Sequence, residues 1–232
     1  PRAALEARLG GTPRDFRGAL AAPGLGLIAE FKPRSPSRGP IRPDASAEDV
    51  ARLYAPYAAA MSVLCDRPWF GGGFDVLARA RAATDLPLLC KDFVVGRYQV
   101  YEARVAGADG ILLMASVLDD DELSELLALV RSLSMEALVE VHDRQELDRV
   151  LRLGPRIVGV NSRDLRSLEI DLGRMCDLLD DVPDGVVRVA ESGLSRPEDI
   201  ERIRGRANAA LIGSAFMAAA DPVAKIEELG WR

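Results

Sequence analysis

The chain has 232 residues, 48% hydrophobic and 28% charged, with a formal net charge of -6. That hydrophobic fraction excludes a disordered chain, and the length is enough to bury a sizeable core. No apolar run approaches the ~18 residues of a membrane span, and scattered basic residues on an acidic chain argue against nucleic acid as a partner.

Residues 1–24 precede the first strand pattern and are expected to form one or two short helices across one end of the fold. Short apolar runs then recur at Gly26–Phe31, Ala60–Leu64, 87–90, Gly110–Met114, 137–141, 157–160, 186–190 and Ala209–Ile212. Each is too short for a helix and lacks strict alternation, so each reads as a strand buried on both faces. Amphipathic segments lie between them, clearest at 119–133, 143–153, 195–203 and 221–229, each opening on Ser or Asp in an N-cap role. Gly107, Ala108 and Asp109 mark a helix stop and turn. Eight strand-then-helix units of about 29 residues each predict an α/β fold, a (β/α)8 TIM barrel with a short amino-terminal helical extension. An open doubly wound sheet is the alternative. No linker or shift in composition divides the chain, so 1–232 reads as a single domain.

In such a barrel the chemistry sits at the carboxyl ends of the strands. Those positions hold Glu30 and Lys32, Lys91 and Asp92, Glu140, Asn161 and Arg163, Glu191 and Ser192, and Gly213 and Ser214. One charge capping a strand is commonly a solvated residue. Two lysines and three glutamates closing separate apolar strands point instead to one shared pocket with shifted pKa values. Glu191-Ser192-Gly193 and Ile212-Gly213-Ser214-Ala215 on the last two strands suggest a phosphate site built from backbone N–H groups and a short helix near Ala215. His142 follows Glu140 by two residues and could join a catalytic pair, but a lone histidine past a strand reads first as a solvated loop residue. Asp119, Asp120 and Asp121 read as an acidic helical first turn rather than a cation site. Trp69 and Phe70, followed by three glycines, read as an aromatic-bearing mobile loop. No second histidine or cysteine pair offers a metal site.

The basic residues divide into 27 arginines and only three lysines, Lys32, Lys91 and Lys225. Two of the three stand at strand ends. Chance or tight packing around a slimmer side chain is one explanation. The sharper one is a lysine, Lys91, that must give up a proton, with its pKa expected to fall toward the working pH.

Together, Ile28-Ala29-Glu30-Phe31-Lys32-Pro33-Arg34-Ser35-Pro36-Ser37, Cys90-Lys91-Asp92-Phe93, Glu140, Gly159-Val160-Asn161-Ser162-Arg163-Asp164-Leu165, Ala190-Glu191-Ser192-Gly193 and Leu211-Ile212-Gly213-Ser214 resemble indole-3-glycerol phosphate synthase. The likeness runs in register from about Gly24 to nearly the end, and resembles the monofunctional form. It implies the decarboxylating, dehydrating ring closure of 1-(2-carboxyphenylamino)-1-deoxyribulose 5-phosphate in tryptophan biosynthesis, with no metal or organic cofactor. By resemblance, Lys91 is the general acid and Lys32 pairs with negative groups of the substrate. Glu140 is the acid/base partner, supported by Glu30, Asn161 and Glu191. Ser192, Gly193, Gly213 and Ser214, with Lys32 and Ser35 nearby, are implied to hold the phosphate. Pro36, Phe70, Phe93, Leu112 and Leu165 are implied to wall the anthranilate ring. Arg163 is implied to orient the Glu or Asn neighbours or the substrate carboxylate. The loop 65–73 departs from the family, which more often has Thr, a second acidic residue and a Ser after the glycine.

The expected partner is therefore a small phosphorylated molecule, with no nucleic acid and no membrane. A monomer is expected, with an oligomer left open. Three well-separated cysteines, Cys65, Cys90 and Cys176, suit a reducing cytosol. No secretory leader is visible, so a cytoplasmic location is expected. Rival readings are another phosphosugar enzyme on the same barrel, including a Schiff-base aldolase using Lys91, and a non-catalytic sugar-phosphate sensor.

Overall fold

Helices α1 (Arg2–Glu6) and α2 (Phe16–Leu20) precede strand β1 (Gly26–Phe31) in the computed structural model, which describes residues 2–36, 38–164 and 167–232. A two-residue antiparallel pair, β2 (Arg34–Ser35) and β3 (Gly39–Pro40), follows, and α3 (Ala47–Tyr54) leads into β4 (Ala60–Leu64). After α4 (Arg67–Phe70) and α5 (Phe74–Ala83), single helices alternate with strands. The order is β5 (Leu88–Lys91), α6 (Arg97–Val105), β6 (Gly110–Met114), α7 (Asp120–Ser132), β7 (Glu136–Val141), α8 (Arg144–Leu151), β8 (Ile157–Asn161), α9 (Leu172–Asp181), β9 (Val187–Glu191), α10 (Pro197–Ile203) and β10 (Ala209–Ile212). The chain ends with α11 (Ser214–Met217) and α12 (Pro222–Glu228).

Strands β1 and β4 to β10 close into an eight-stranded barrel in which every neighbouring pair is parallel. The closed sheet removes the open-sheet alternative. Side chains alternate across a strand, so each strand has one face toward the barrel axis and one toward the helices. The inward set includes Ile28, Leu89, Leu112, Leu138, Ile157, Val189 and Leu211, which form one apolar cluster with Phe16 and Leu20 of α2. The outward set packs with the helices into a second, larger cluster. Phe16 plugs the amino-terminal end of the barrel. Its ring lies where a Cβ on Gly110 would come within 3.0 Å, so glycine at the start of β6 makes room for it. Helix α2 thus fulfils the expectation of a short amino-terminal helix across the barrel end.

Continued one step further, the inward face turns polar. Ile28 is followed by Glu30 and Lys32, Leu89 by Lys91, Leu138 by Glu140 and His142, Gly159 by Asn161, Val189 by Glu191, and Leu211 by Gly213. The residues below exclude water and those above face the mouth, which gathers the charges on one side. No helix among the described residues is long and apolar enough to cross a membrane.

Two local readings change. Residues 67–70 form a helical turn rather than a loop. Asp66 caps it by accepting from Trp69 N at 2.7 Å, and Gly71 ends it in the left-handed region at φ 70°. Helix α10 begins at Pro197, not at 195, and Ser195 is not its N-cap. Asp199 instead accepts from the backbone N–H groups of Ser195 and Arg196 at 3.1 and 3.0 Å. The acidic start of α7 is a capping box. Asp119 accepts from Glu122 N at 2.8 Å and Glu122 accepts from Asp119 N at 3.0 Å.

Candidate active site

A cavity of about 520 Å³ opens at the carboxyl ends of the strands. Its walls include Glu30, Lys32, Ser35, Pro36, Phe70, Lys91, Phe93, Leu112, Glu140, Asn161, Arg163, Glu191, Ser192, Gly193, Gly213 and Ser214. Sixteen of the seventeen residues singled out from the sequence therefore meet in one place. The other, Leu165, lies outside the described residues, as does Ser37 of the first motif. Arg38, Met114, Leu168 and Ile170 also line the cavity and were not foreseen. Met114 shares the inward face with Leu112, and that alternation could have found it. Arg38 comes from the turn of the small β2–β3 pair, which no periodicity announces.

The floor of the cavity is a charge network. Lys91 Nζ lies 3.2 Å from Glu191 Oε2 and 3.4 Å from Glu140 Oε2. The barrel register makes this possible: Glu140 pairs with Gly159 and Asn161 pairs with Glu191, which sets consecutive polar ends side by side. Asn161 Nδ2 donates to Glu140 Oε1 at 3.1 Å, and its Oδ1 accepts from Arg163 N at 3.0 Å. Lys32 Nζ stands 2.7 Å from Glu30 Oε1. Glu30, Glu140 and Glu191 are all buried.

Burial alone would strip Lys91 of its proton, but Glu191, Glu140 and Glu30 outweigh burial and hold its pKa above the ordinary lysine value. The expectation of a lowered pKa is therefore wrong. Three strand-end glutamates surround one ammonium, and their summed attraction exceeds its desolvation. Burial would likewise raise Glu140, yet Lys91, His142 and Asn161 hold it below the usual carboxylate range. Glu191 moves the other way. Burial pushes it up, and the neighbouring Glu140 charge adds to that against the pull of Lys91. Two carboxylates sharing one ammonium thus shift in opposite directions, Glu140 below and Glu191 above the ordinary carboxylate value.

Two glycines make space for this network. A Cβ on Gly159 would lie 2.1 Å from Glu191 Oε1, and one on Gly213 would lie 2.4 Å from Glu30 Oε1. Gly213 thus turns its Cα toward Glu30. At the other strand end, Ser192 and Gly193 are both in the left-handed region, at φ 67° and 74°. A serine there is strained, and such strain concentrates at ligand-binding sites. Arg163 reaches Leu168 O through Nη1 at 3.0 Å, which ties down the loop after β8. Phe70 and Phe93 face each other across the rim with ring centroids 6.3 Å apart. Trp69 beside them is 60% exposed, so Phe70 is the aromatic that meets the cavity. His142 is buried rather than solvated, with Nε2 3.2 Å from Glu140 Oε1.

Residues 3–229 match the family described as indole-3-glycerol phosphate synthase. The chain is 49% identical over 222 residues to the protein of that name from Polaromonas sp. (strain JS666), covering 93% of this chain and 84% of the relative. It is 47% identical over 223 residues to the one from Laribacter hongkongensis, covering 93% and 85%. Among solved structures, 3-hexulose-6-phosphate synthase superposes with a TM-score of 0.71 at 19% identity, covering 88% of this chain and 98% of that one. A thiamine phosphate pyrophosphorylase from Pyrococcus furiosus does so at 0.66 and 17%, covering 93% and 96%. At those identities the two structures show the barrel fold alone.

Proposed function

Because this chain belongs to the indole-3-glycerol phosphate synthase family, we propose that it is a carboxy-lyase that closes the pyrrole ring of 1-(2-carboxyphenylamino)-1-deoxyribulose 5-phosphate with loss of carbon dioxide and water. The observation that carries the site assignment is the partly buried Lys91 ammonium, set 3.2 and 3.4 Å from two glutamates at the floor of the cavity.

Ring closure begins when the carboxyl-bearing arene carbon attacks the ketone carbon and its oxygen becomes an alkoxide. Lys91, kept protonated by its carboxylate neighbours, supplies the proton. Loss of carbon dioxide then restores the aromatic ring. The hydroxyl leaves as water, which needs one proton donor and one base. The opposite pKa shifts of Glu191, raised, and Glu140, lowered, suit them to those opposite tasks, with Glu140 as the base. Asn161 orients Glu140, and Glu30 holds Lys32 toward the substrate's negative groups.

The phosphate is assigned to the backbone of Ser192, Gly193, Gly213 and Ser214. The first N–H groups of α11 have no partner within that helix, and Lys32, Ser35 and Arg38 lie on the same wall. Pro36, Phe70, Phe93 and Leu112 provide the flat apolar surface for the anthranilate ring. A Schiff-base role for Lys91 is disfavoured, because an amine held protonated cannot add to a ketone. The free cysteines support work in a reducing cytosol, and a site built from one chain supports action as a monomer.

Incubating purified protein with the substrate and following indole fluorescence tests the reading. Equimolar fluorescent product and carbon dioxide are expected. Tight binding without product would instead favour the non-catalytic sensor.

A further inference from the structure

His142 is the one histidine in the sequence, and it stands behind the cavity wall rather than in it. It follows Glu140 by two residues and so shares its face of the chain. Nε2 lies 3.2 Å from Glu140 Oε1 and Nδ1 lies 3.2 Å from Glu146 Oε2. The first contact is an ion-pair distance without hydrogen-bond alignment. The backbone N–H of His142 donates to the same Glu146 oxygen at 2.8 Å. Glu146 belongs to the first turn of α8, where its own N–H donates to Asp143 at 2.8 Å. The ring is therefore bracketed by one carboxylate from β7 and one from α8. Behind Glu140 stand Lys91 of β5, Asn161 of β8 and Glu191 of β9.

We propose that His142 is a positioning residue for the ring closure: an imidazolium braced by Glu146 that holds Glu140 Oε1 in place and leaves Oε2 turned to Lys91. This rests on the role assigned to Glu140 above. Burial opposes the charge on the ring, but the contacts with Glu140 and Glu146 outweigh it and push the pKa up to about 10. Without that cation, Lys91 is the one cation among the described residues in contact with Glu140 to offset its burial. The carboxylate then takes a proton more readily, so its ionised, base-competent form is lost at a higher pH.

A single histidine makes the test direct, because untagged, 15N-labelled protein gives one set of imidazole nitrogen signals. Both ring nitrogens should stay protonated at pH 7 in the wild type, and Glu146→Gln should bring the transition down toward the ordinary histidine value. In kinetics, His142→Leu should lower kcat by on the order of 10-fold with KM nearly unchanged, and move the acid limb of the kcat profile to higher pH. His142→Gln keeps a donor without the charge, so it should recover part of kcat while leaving the limb displaced. A purely structural histidine would lower the melting temperature of these variants and leave the limb in place, which overturns the proposal. So does an active wild type whose ring is neutral at pH 7. A wild type that makes no indole product overturns the reading of the site itself, and this role with it.

Discussion

Replacing Glu140 by Gln keeps its volume and its hydrogen bond from Asn161 but removes the charge that faces Lys91. Turnover of Glu140→Gln should fall by on the order of 10²-fold or more, with product affinity little changed. Steady-state fluorescence and product titration measure the two quantities separately, and turnover near the wild-type rate would remove Glu140 from the mechanism. The charged side chains at strand ends were legible in the sequence, because two lysines and three glutamates closing separate apolar runs are too many to be solvated caps one by one. Their protonation states were not legible. Lys91 looked like a lysine made acidic by an apolar pocket, and only the assembled barrel brings Glu30, Glu140 and Glu191 around it. The solvated reading of His142 failed for a related reason, while its pairing with Glu140 was open from the spacing. It falls just past the end of β7, and only the inward alternation through Leu138 and Glu140 carries it into the interior.

At the scale of strands and helices, glycines and one aspartate do work that composition does not reveal. Gly159 on β8 leaves room for the Glu191 carboxylate, at the end of a flexible side chain that can be displaced. Gly159→Ala should therefore keep the fold while moving Glu191. A displacement of ~1 Å in a reacting group costs up to about 10²-fold in rate, so a loss of at least about 10-fold with a near-normal melting curve is expected. Unchanged turnover would show that the Glu191 position is unimportant. At the opposite end of the barrel, Asp109 was read only as part of a turn. The turn is present, with Gly107 at φ 96°. Asp109 is also a buried carboxylate that accepts from Arg14 N at 2.7 Å, Leu88 N at 2.8 Å and Arg81 Nη1 at 2.9 Å. It ties the amino-terminal segment and β5 to the start of β6. Asp109→Asn leaves Arg81 without its charged partner and should cost about 2–3 kcal/mol, or roughly 4–12 °C in melting temperature for a chain of this size. Activity at 25 °C should survive. A melting point within 1 °C of wild type would contradict this, on the same scale. Strand positions were legible to within a residue, because both-face burial leaves dense apolar runs. The β2–β3 pair was not, since two-residue strands carry no period.

Across the whole molecule, barrel closure places β1 between β4 and β10 and so brings the first and last strands together. Lys32 and Ser35 after β1 thereby face Gly213 and Ser214 after β10 across one cavity, although about 180 residues separate them in sequence. The protein is acidic overall, and that mouth mixes Lys32, Arg38, Lys91 and Arg163 with Glu30, Asp66, Asp92, Glu140 and Glu191, so charge is gathered there in pairs rather than as one sign. The central claim is that this constellation, with the Lys91 ammonium as its acid, performs the ring closure. Single-turnover fluorescence of the wild type and Lys91→Arg, side by side with product titration, tests it most directly. Arginine keeps the charge beside Glu140 and Glu191 but cannot release a proton usefully. The expected result is rapid indole formation in the wild type and loss of most turnover in the variant, with product binding reduced far less. Indole formation by Lys91→Arg near the wild-type rate would contradict it.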